Sequence, residues 1–273
     1  MNARLKLKRG LSDISPLFSK EVLSEPRCRI VQPEQQVPPS HLSFMPEVCY
    51  IWSVEDEGDA HFLNNYFASK MLKPQTSSLL VALEEKNTAF STDSGVETWS
   101  EGLRRMRIPF AQMQEELSQA QSSFQRFPEM TGGQVFLEVG MRSLYSHPEL
   151  VGALDHLVLF LKPHVDAVTE AYRQLKRLMA LQIRAEVTIL FDTDNAGGAA
   201  SELFELFSEF VSRRLSLSVS YLGALHLSRG GQGLHQDIRW EGWQVRQTSE
   251  FNSIEKIKFL SWIDKRSKEK AFS

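Results

Sequence analysis

Short apolar runs separated by helical segments constrain the fold of this chain more than any other feature. The clearest runs lie at residues 48–52, 134–137 and 157–161. Nearly continuous apolar strands are typical of a parallel sheet that is covered on both faces. Strands that alternate with helices along a chain build βαβ units. The sequence therefore predicts an α/β protein with a doubly wound, mostly parallel sheet and helices on both faces.

The rest of the chain continues this alternation. Further strands are predicted at residues 78–83, 186–191 and 218–222. Helices are predicted at residues 61–72, 165–181, 199–215 and 253–270. Residues 98–127 are expected to form one or two helices, interrupted at Pro109 because proline lacks the amide proton that a helix interior needs. The strand at 218–222 is expected to be the last.

The first 46 residues differ from the rest and predict an extended, proline-containing tail, with residues 47–273 as the α/β domain. Six prolines interrupt the tail, so no long helix is expected there. It contains one compact apolar group, which we call the tail cluster: Leu11, Ile14, Leu17 and Phe18. Two interpretations stay open. The tail cluster is either a docking segment for a protein partner or an arm that packs on its own domain.

Composition narrows the functional classes. Lys and Arg number 31 against 34 Asp and Glu, and a net charge of −3 gives no reason to expect nucleic-acid binding. The two cysteines, Cys28 and Cys49, form no CxxC pair, which favours a reducing compartment. No apolar run approaches the roughly 18 residues that cross a bilayer. A cytoplasmic location is expected, with recruitment to the inner face of the membrane left open.

The segment between the first strand and the next helix, residues 53–61, is acidic. A loop that binds nucleotide phosphates needs several glycines, a lysine for the β- and γ-phosphates, and a Ser or Thr hydroxyl for Mg²⁺. This segment has one glycine, Gly58, and no lysine. It carries four carboxylates, at Glu55, Asp56, Glu57 and Asp59. These charges would repel a triphosphate.

The register of this segment nevertheless resembles the MinD/ParA family of P-loop ATPases, in the SIMIBI class. Members read strand, serine, G-K-G-G-x-G-K-T-T-L, then helix. On that alignment Glu55 stands at the signature lysine that reaches across the dimer, Ala60 at the phosphate lysine and His61 at the Mg²⁺-binding threonine. The resemblance implies a P-loop NTPase-like fold with a degenerate loop, hence a pseudo-ATPase that is not an enzyme, with no cofactor and no catalytic residue.

Spacing further along the chain extends the resemblance over roughly residues 47–265. Glu138 stands where the family carries the Walker B aspartate, and Asp192 where it carries an adenine-recognising asparagine. We interpret Glu138 as a structural acid, because the loop lacks the residues with which it would hold Mg²⁺. The segment 192–198 resembles a calcium loop, but Ala196 occupies a ligand position, which favours a simple turn. The seven histidines show no metal-ligand spacing.

The resemblance implies a non-catalytic scaffold or regulator that binds a protein partner in a bacterial positioning, secretion, motility or polysaccharide assembly. The tail would be the tether, and a constitutive homodimer stays open. Two alternatives remain. One is an enzyme that uses the same sheet for metal-dependent chemistry, with Glu138, His61 and the acidic segment as a cation site. The other is a peripheral membrane adaptor.

The membrane alternative depends on the last helix. Ile257, Leu260 and Trp262 lie among basic residues that include Lys265. MinD-type members end in a basic amphipathic helix that inserts into anionic membranes, and this pattern is similar. The apolar positions drift around the helix, however, and basic residues fall on several sides. Packing on the domain is therefore favoured over contact with a membrane or a partner.

Overall fold

The computed structural model describes residues 46–54, 57–70, 78–84, 96–100, 102–119, 133–193, 199–226, 235–238 and 253–271. The strands in these residues are β1 (Glu47–Ser53), β2 (Ser78–Glu84), β3 (Val96–Ser100), β4 (Leu103–Pro109), β5 (Gln134–Glu138), β6 (His156–Leu161), β7 (Glu186–Phe191), β8 (Val219–His226) and β9 (His235–Ile238). The helices are α1 (Glu57–Lys70), α2 (Phe110–Gln119), α3 (Met141–Ser146), α4 (Pro148–Ala153), α5 (Val165–Ala180), α6 (Ala199–Leu215) and α7 (Ile254–Ala271).

The strands form one sheet in the order β3-β4-β2-β5-β1-β6-β7-β8-β9. Its seven central strands are parallel, and an antiparallel strand closes each edge, β3 beside β4 and β9 beside β8. β1 lies at the centre, between β5 and β6. The α/β class and the mostly parallel, doubly wound sheet predicted from the sequence are confirmed.

The described helices are distributed unequally over the two faces of the sheet. Residues from α2 to α7 join one apolar cluster with one set of strand side chains, and α1 joins a second cluster with the opposite set. We call these the main face and the α1 face. Right-handed crossovers explain the difference, because the face that a helix covers depends on the direction in which the chain moves along the sheet. The connection through α1 moves from β1 towards β2, whereas those through α2 to α6 move the opposite way.

The apolar runs of the central strands are buried on both faces. In β1, Tyr50 and Trp52 join the main-face cluster, whereas Cys49 and Ile51 join the α1-face cluster. Each of these four side chains is at most 8% exposed. A strand with no solvated face has no reason to alternate, which is why its sequence is an unbroken apolar run.

Two sequence predictions about the elements are wrong. The helical prediction for residues 98–127 fails before Phe110, because β4 occupies Leu103–Pro109 and the described helix α2 spans Phe110–Gln119. The strand predicted at 218–222 is also not the last, since β8 continues to His226 and β9 pairs with it antiparallel.

Candidate functional site at the carboxyl edge of the sheet

Ligands of open α/β sheets bind beyond the carboxyl ends of the strands, where the direction of winding reverses. In this sheet the reversal is at β1. The strand that follows β1 in sequence, β2, lies on one side of it, and the later strands β6, β7 and β8 lie on the other side. The strand ends that meet there are Ser53 of β1, Glu138 of β5 and Leu161 of β6. This edge is the candidate functional site.

The connection from β1 to α1 is shorter than the sequence predicts. Ser53 is 3% exposed, and the Val54 amide donates a hydrogen bond to the Phe160 carbonyl over 2.9 Å. The helix then begins at Glu57, four residues before the predicted start at His61. Gly58, Ala60 and His61, the positions aligned with the phosphate loop, therefore lie in helical backbone. Their side chains, and all of Glu55, lie outside what the structure describes.

The connection between β1 and α1 is short. A phosphate loop directs successive backbone amides at the phosphates from a long non-helical turn rich in glycine. Here β1 ends at Ser53 and α1 begins at Glu57, so three residues lie between them, and two of the three are acidic.

Glu138 is held in an ion pair with an arginine from the same sheet. Its Oε2 lies 3.4 Å from an Nη of Arg105 in β4, so the pair reaches across β2. The residue of β2 beside Glu138 is Ala82, whose small side chain leaves the space above the strand open. Arg105 is 7% exposed, so its guanidinium requires a partner in the interior. The structure thus places Glu138 in a contact that stabilises the sheet.

Arg107 adds a second guanidinium on the α1 face of β4, in register with Ala82. The strand therefore contributes two arginines where Glu138 ends β5. Within the described part of the chain, no group of three or more His, Cys, Asp or Glu side chains could hold a metal ion. Asp192 follows β7, and its amide donates to the Leu161 carbonyl over 3.0 Å, which continues the pairing of β7 with β6.

The turn after β5 is fixed from the main face. The Tyr50 hydroxyl donates a hydrogen bond to the buried Val139 carbonyl over 2.9 Å. Gly140 is extended, and α3 begins at Met141. This contact joins the middle of β1 to the residue that follows β5, close to where the chain leaves Glu138.

The last helix, α7, packs on the main face. Ile257, Leu260 and Trp262 are 6%, 0% and 2% exposed, so their apolar surface is not available to a bilayer or a partner in this conformation. The indole of Trp262 donates to Glu116 Oε2 over 2.9 Å, and Arg266 Nε donates to the same oxygen over 2.6 Å. Of the four residues proposed as a membrane or partner surface, only Lys265 is exposed. None of the described helices is long and apolar enough to cross a membrane.

Sequence reasoning missed a buried ion pair that fastens α7. Lys256 is 2% exposed, and its Nζ lies 2.7 Å from Asp155 Oδ2. The same oxygen accepts a hydrogen bond from the Val48 amide over 2.8 Å. The signal was present, because Lys256 precedes Phe259, Leu260 and Ile263 by three, four and seven residues and so belongs to the inward stripe of the helix.

The tail cluster, Leu11, Ile14, Leu17 and Phe18, lies outside the described residues, and so do residues 194–198 of the calcium-like segment 192–198. The proposal that the tail binds a partner therefore stays a prediction.

Comparisons with known proteins found similar chains among solved structures. No family model matches the chain, and no curated protein matches it in sequence. Solved structures of MinD/ParA-type P-loop ATPases are similar in fold. A putative plasmid partition protein from Borrelia burgdorferi bound to AMPPNP shares 11% identity over 81% of this chain and 99% of its own, with a TM-score of 0.45. The MinC:MinD cell division complex of Aquifex aeolicus shares 12% identity over 67% of this chain and 82% of its own, with a TM-score of 0.41. A ParA family ATPase from Chlorobium tepidum shares 12% identity over 68% of this chain and 86% of its own, with a TM-score of 0.40.

Proposed function

We propose that this protein is a non-catalytic scaffold or regulator of the MinD/ParA type, which binds a protein partner in a bacterial assembly without binding or hydrolysing ATP. The observation that carries the proposal is the connection between β1 and α1. Only three residues lie between Ser53, the end of β1, and Glu57, the start of α1, whereas a phosphate loop needs a long glycine-rich turn; residues 53–61 also contain no lysine. Four carboxylates in residues 55–59 repel a nucleotide.

Nucleotide binding tests the proposal directly. Isothermal titration of the purified protein with Mg-ATP, up to about millimolar ligand, should give no specific heat of binding, because residues 53–61 contain no Lys or Arg to compensate the phosphate charge. Thermal unfolding with and without Mg-ATP is the second readout, since a ligand that binds only the folded state raises the melting temperature. A micromolar dissociation constant with a matching rise in melting temperature would refute the pseudo-ATPase assignment.

The tail is proposed as the tether to the partner. Deletion of residues 1–40 should leave the melting temperature of the domain unchanged and abolish capture of the partner in a pull-down. Leu17→Asp combined with Phe18→Asp tests the tail cluster more finely, because it removes apolar surface while keeping the chain length. Val22→Asp, outside the tail cluster, is the matched control. If the deletion unfolds the domain, the tail is a structural arm and the tether is wrong.

A further inference from the structure

Charge is segregated between two neighbouring helices of the main face. On α5, Arg173, Lys176 and Arg177 are exposed, and we call them the basic ridge. On α6, Glu202, Glu205 and Glu209 are exposed, and we call them the acidic ridge. Residues 170–177 contain three basic residues and one acid, whereas residues 199–212 contain three acids and no base. Charges of the opposite sign lie towards the helix ends, with Asp166 in the first turn of α5 and Arg213 and Arg214 in the last turn of α6.

Each helix also contains an ion pair between neighbouring turns. Arg173 lies 3.2 Å from Glu170, and Glu209 lies 2.5 Å from Arg213. Both pairs are largely exposed, and exposed pairs of this kind contribute little to stability. They exchange readily for partners on another molecule, so each ridge keeps its overall sign.

An apolar strip lies beside the acidic ridge. Leu206 is 39% exposed, one of the few large apolar side chains with that much exposure among the described residues. One turn further along α6, the half-buried Phe210 ring lies 5.0 Å from Tyr172 of α5 and under the guanidinium of Arg214. The two helices therefore offer a charged surface with an apolar centre, which is the usual anatomy of a protein interface.

We propose that these two helices form the interface of a homodimer in which the basic ridge of each copy packs on the acidic ridge of the other. Both α5 and α6 connect adjacent parallel strands across the same face, so they lie side by side and run in the same direction. If the two-fold axis of the dimer runs parallel to the two helices and midway between them, α5 of each copy lies over α6 of the other copy. A two-fold axis perpendicular to the helices would instead place α5 over α5 and α6 over α6. Like charges would then face each other, and their repulsion disfavours this arrangement.

The heights of the basic and acidic ridges along the helices favour the dimer in which α5 lies over α6. Both helices start at the carboxyl edge of the sheet, and each rises by about 1.5 Å per residue. Arg173 is therefore level with the middle of α6, between Glu205 and Glu209. Helices of this length cover roughly 500 Å² per copy, at the small end of specific interfaces. We expect a dimer of micromolar affinity that salt weakens and that needs no nucleotide.

Charge reversal with complementation tests this arrangement. Sedimentation velocity of the full chain, over about 1 to 200 µM, should show a concentration-dependent dimer. A basic-ridge variant (Arg173→Glu, Lys176→Glu and Arg177→Glu) and an acidic-ridge variant (Glu202→Lys, Glu205→Lys and Glu209→Lys) should each weaken it at least tenfold. An equimolar mixture of the two variants should restore it, because every contact between the copies again joins opposite charges.

The control variant, Lys162→Glu with Lys265→Glu, changes exposed basic residues elsewhere by a similar amount and should dimerise normally. Melting temperatures within a few degrees of the unchanged protein confirm that each variant folds. A monomer at every concentration, or a mixture that fails to associate, would overturn the proposal. This result is independent of the nucleotide titration, so the two proposals can fail separately.

Discussion

Asp155 connects three parts of the molecule at the amino edge of the sheet. Its carboxylate binds the Val48 amide of β1 and the ammonium of Lys256, and its carbonyl accepts the Glu186 amide over 2.8 Å at the start of β7. A buried ammonium is tolerated only because this carboxylate faces it. The charge pattern of α7 therefore serves to position the helix, although the same lysine-rich sequence is typical of helices that contact membranes.

We expect Asp155→Asn to destabilise the protein by about 3 kcal/mol, because it leaves Lys256 buried without a negative partner. The double variant Asp155→Asn with Lys256→Met should recover part of this loss, since it removes the uncompensated charge as well. Chemical denaturation of the single and double variants measures both effects. Asp166→Asn, at an exposed position, is the control and should change stability by less than about 0.5 kcal/mol. Equal stability of all variants would contradict the ion pair.

The contribution of Glu116 to stability should depend on pH. Burial raises the pKa of Glu116, but hydrogen bonds from Arg266 and Trp262 outweigh it and bring the pKa below the ordinary value of 4.5. A carboxyl group with a lowered folded-state pKa stabilises the fold above its unfolded pKa, and this stabilisation is lost as the pH falls through the folded value. Glu116→Gln should therefore cost about 1 kcal/mol at pH 7 and less at pH 3. Urea unfolding at both values tests this, and a pH-independent cost would contradict it.

Individual side chains show why sequence reasoning succeeded in some places and failed in others. Apolar strand residues such as Tyr50 and Ile51 were predictable, because burial on both faces requires an apolar residue at every position. Arg105 was not predictable, since its burial depends on Glu138, which follows it by 33 residues. Local sequence contains no information about such a partner.

At the scale of the elements, contacts with residues distant in sequence also explain why the sequence did not predict strand β4. Its sequence, LRRMRIP, is rich in Leu, Arg and Met, which favour helices in isolation. It is a strand because Leu103 to Pro109 pair with β2 over their whole length. Tertiary pairing outweighs local propensity here. The early start of α1 has a local reason, since the acids Glu57 and Asp59 suit the positive end of a helix dipole.

The packing of α7 gives a prediction at this scale. Trp262→Glu should lower the melting temperature by several degrees, because it places a charge in the core. Vesicles rich in anionic lipid should not capture the intact protein in a flotation assay, since the apolar residues of α7 are buried. Lys265→Glu is the matched control and should leave both measurements unchanged. Flotation of the intact protein, lost on Trp262→Glu without a change in melting temperature, would instead favour a membrane adaptor.

For the whole molecule, the class and the winding of the sheet were predictable from the rhythm of strands and helices. The edge strands β3 and β9 were not, because a short antiparallel strand pairs on one side only and leaves a weaker apolar pattern. The candidate site was predictable in its position, at the end of β1. Its geometry was not, since the length of the connection depends on where α1 begins.

At this scale we also expect assembly to be independent of nucleotide. In ATPases of the family that the sequence resembles, a lysine reaches across the dimer to the partner's ATP, and Glu55 stands at that position here. Mg-ATP should therefore leave the mass measured by light scattering unchanged at any fixed protein concentration. Glu55→Lys alone should not change this result, because the phosphate-binding lysine is also missing. An ATP-driven doubling of mass would contradict the prediction.

The central position of β1 has a consequence for synthesis on the ribosome. Val48 bonds to Asp155, 107 residues further along the chain, and both neighbours of β1 belong to later segments. At about 5 to 20 residues per second, roughly 5 to 20 seconds pass before those neighbours have been translated. During that time the run of Val, Cys, Tyr, Ile and Trp has no strand to pair with, and it can be bound by a chaperone or aggregate. Yield in the cell is therefore expected to depend on how quickly residues 134–161 follow.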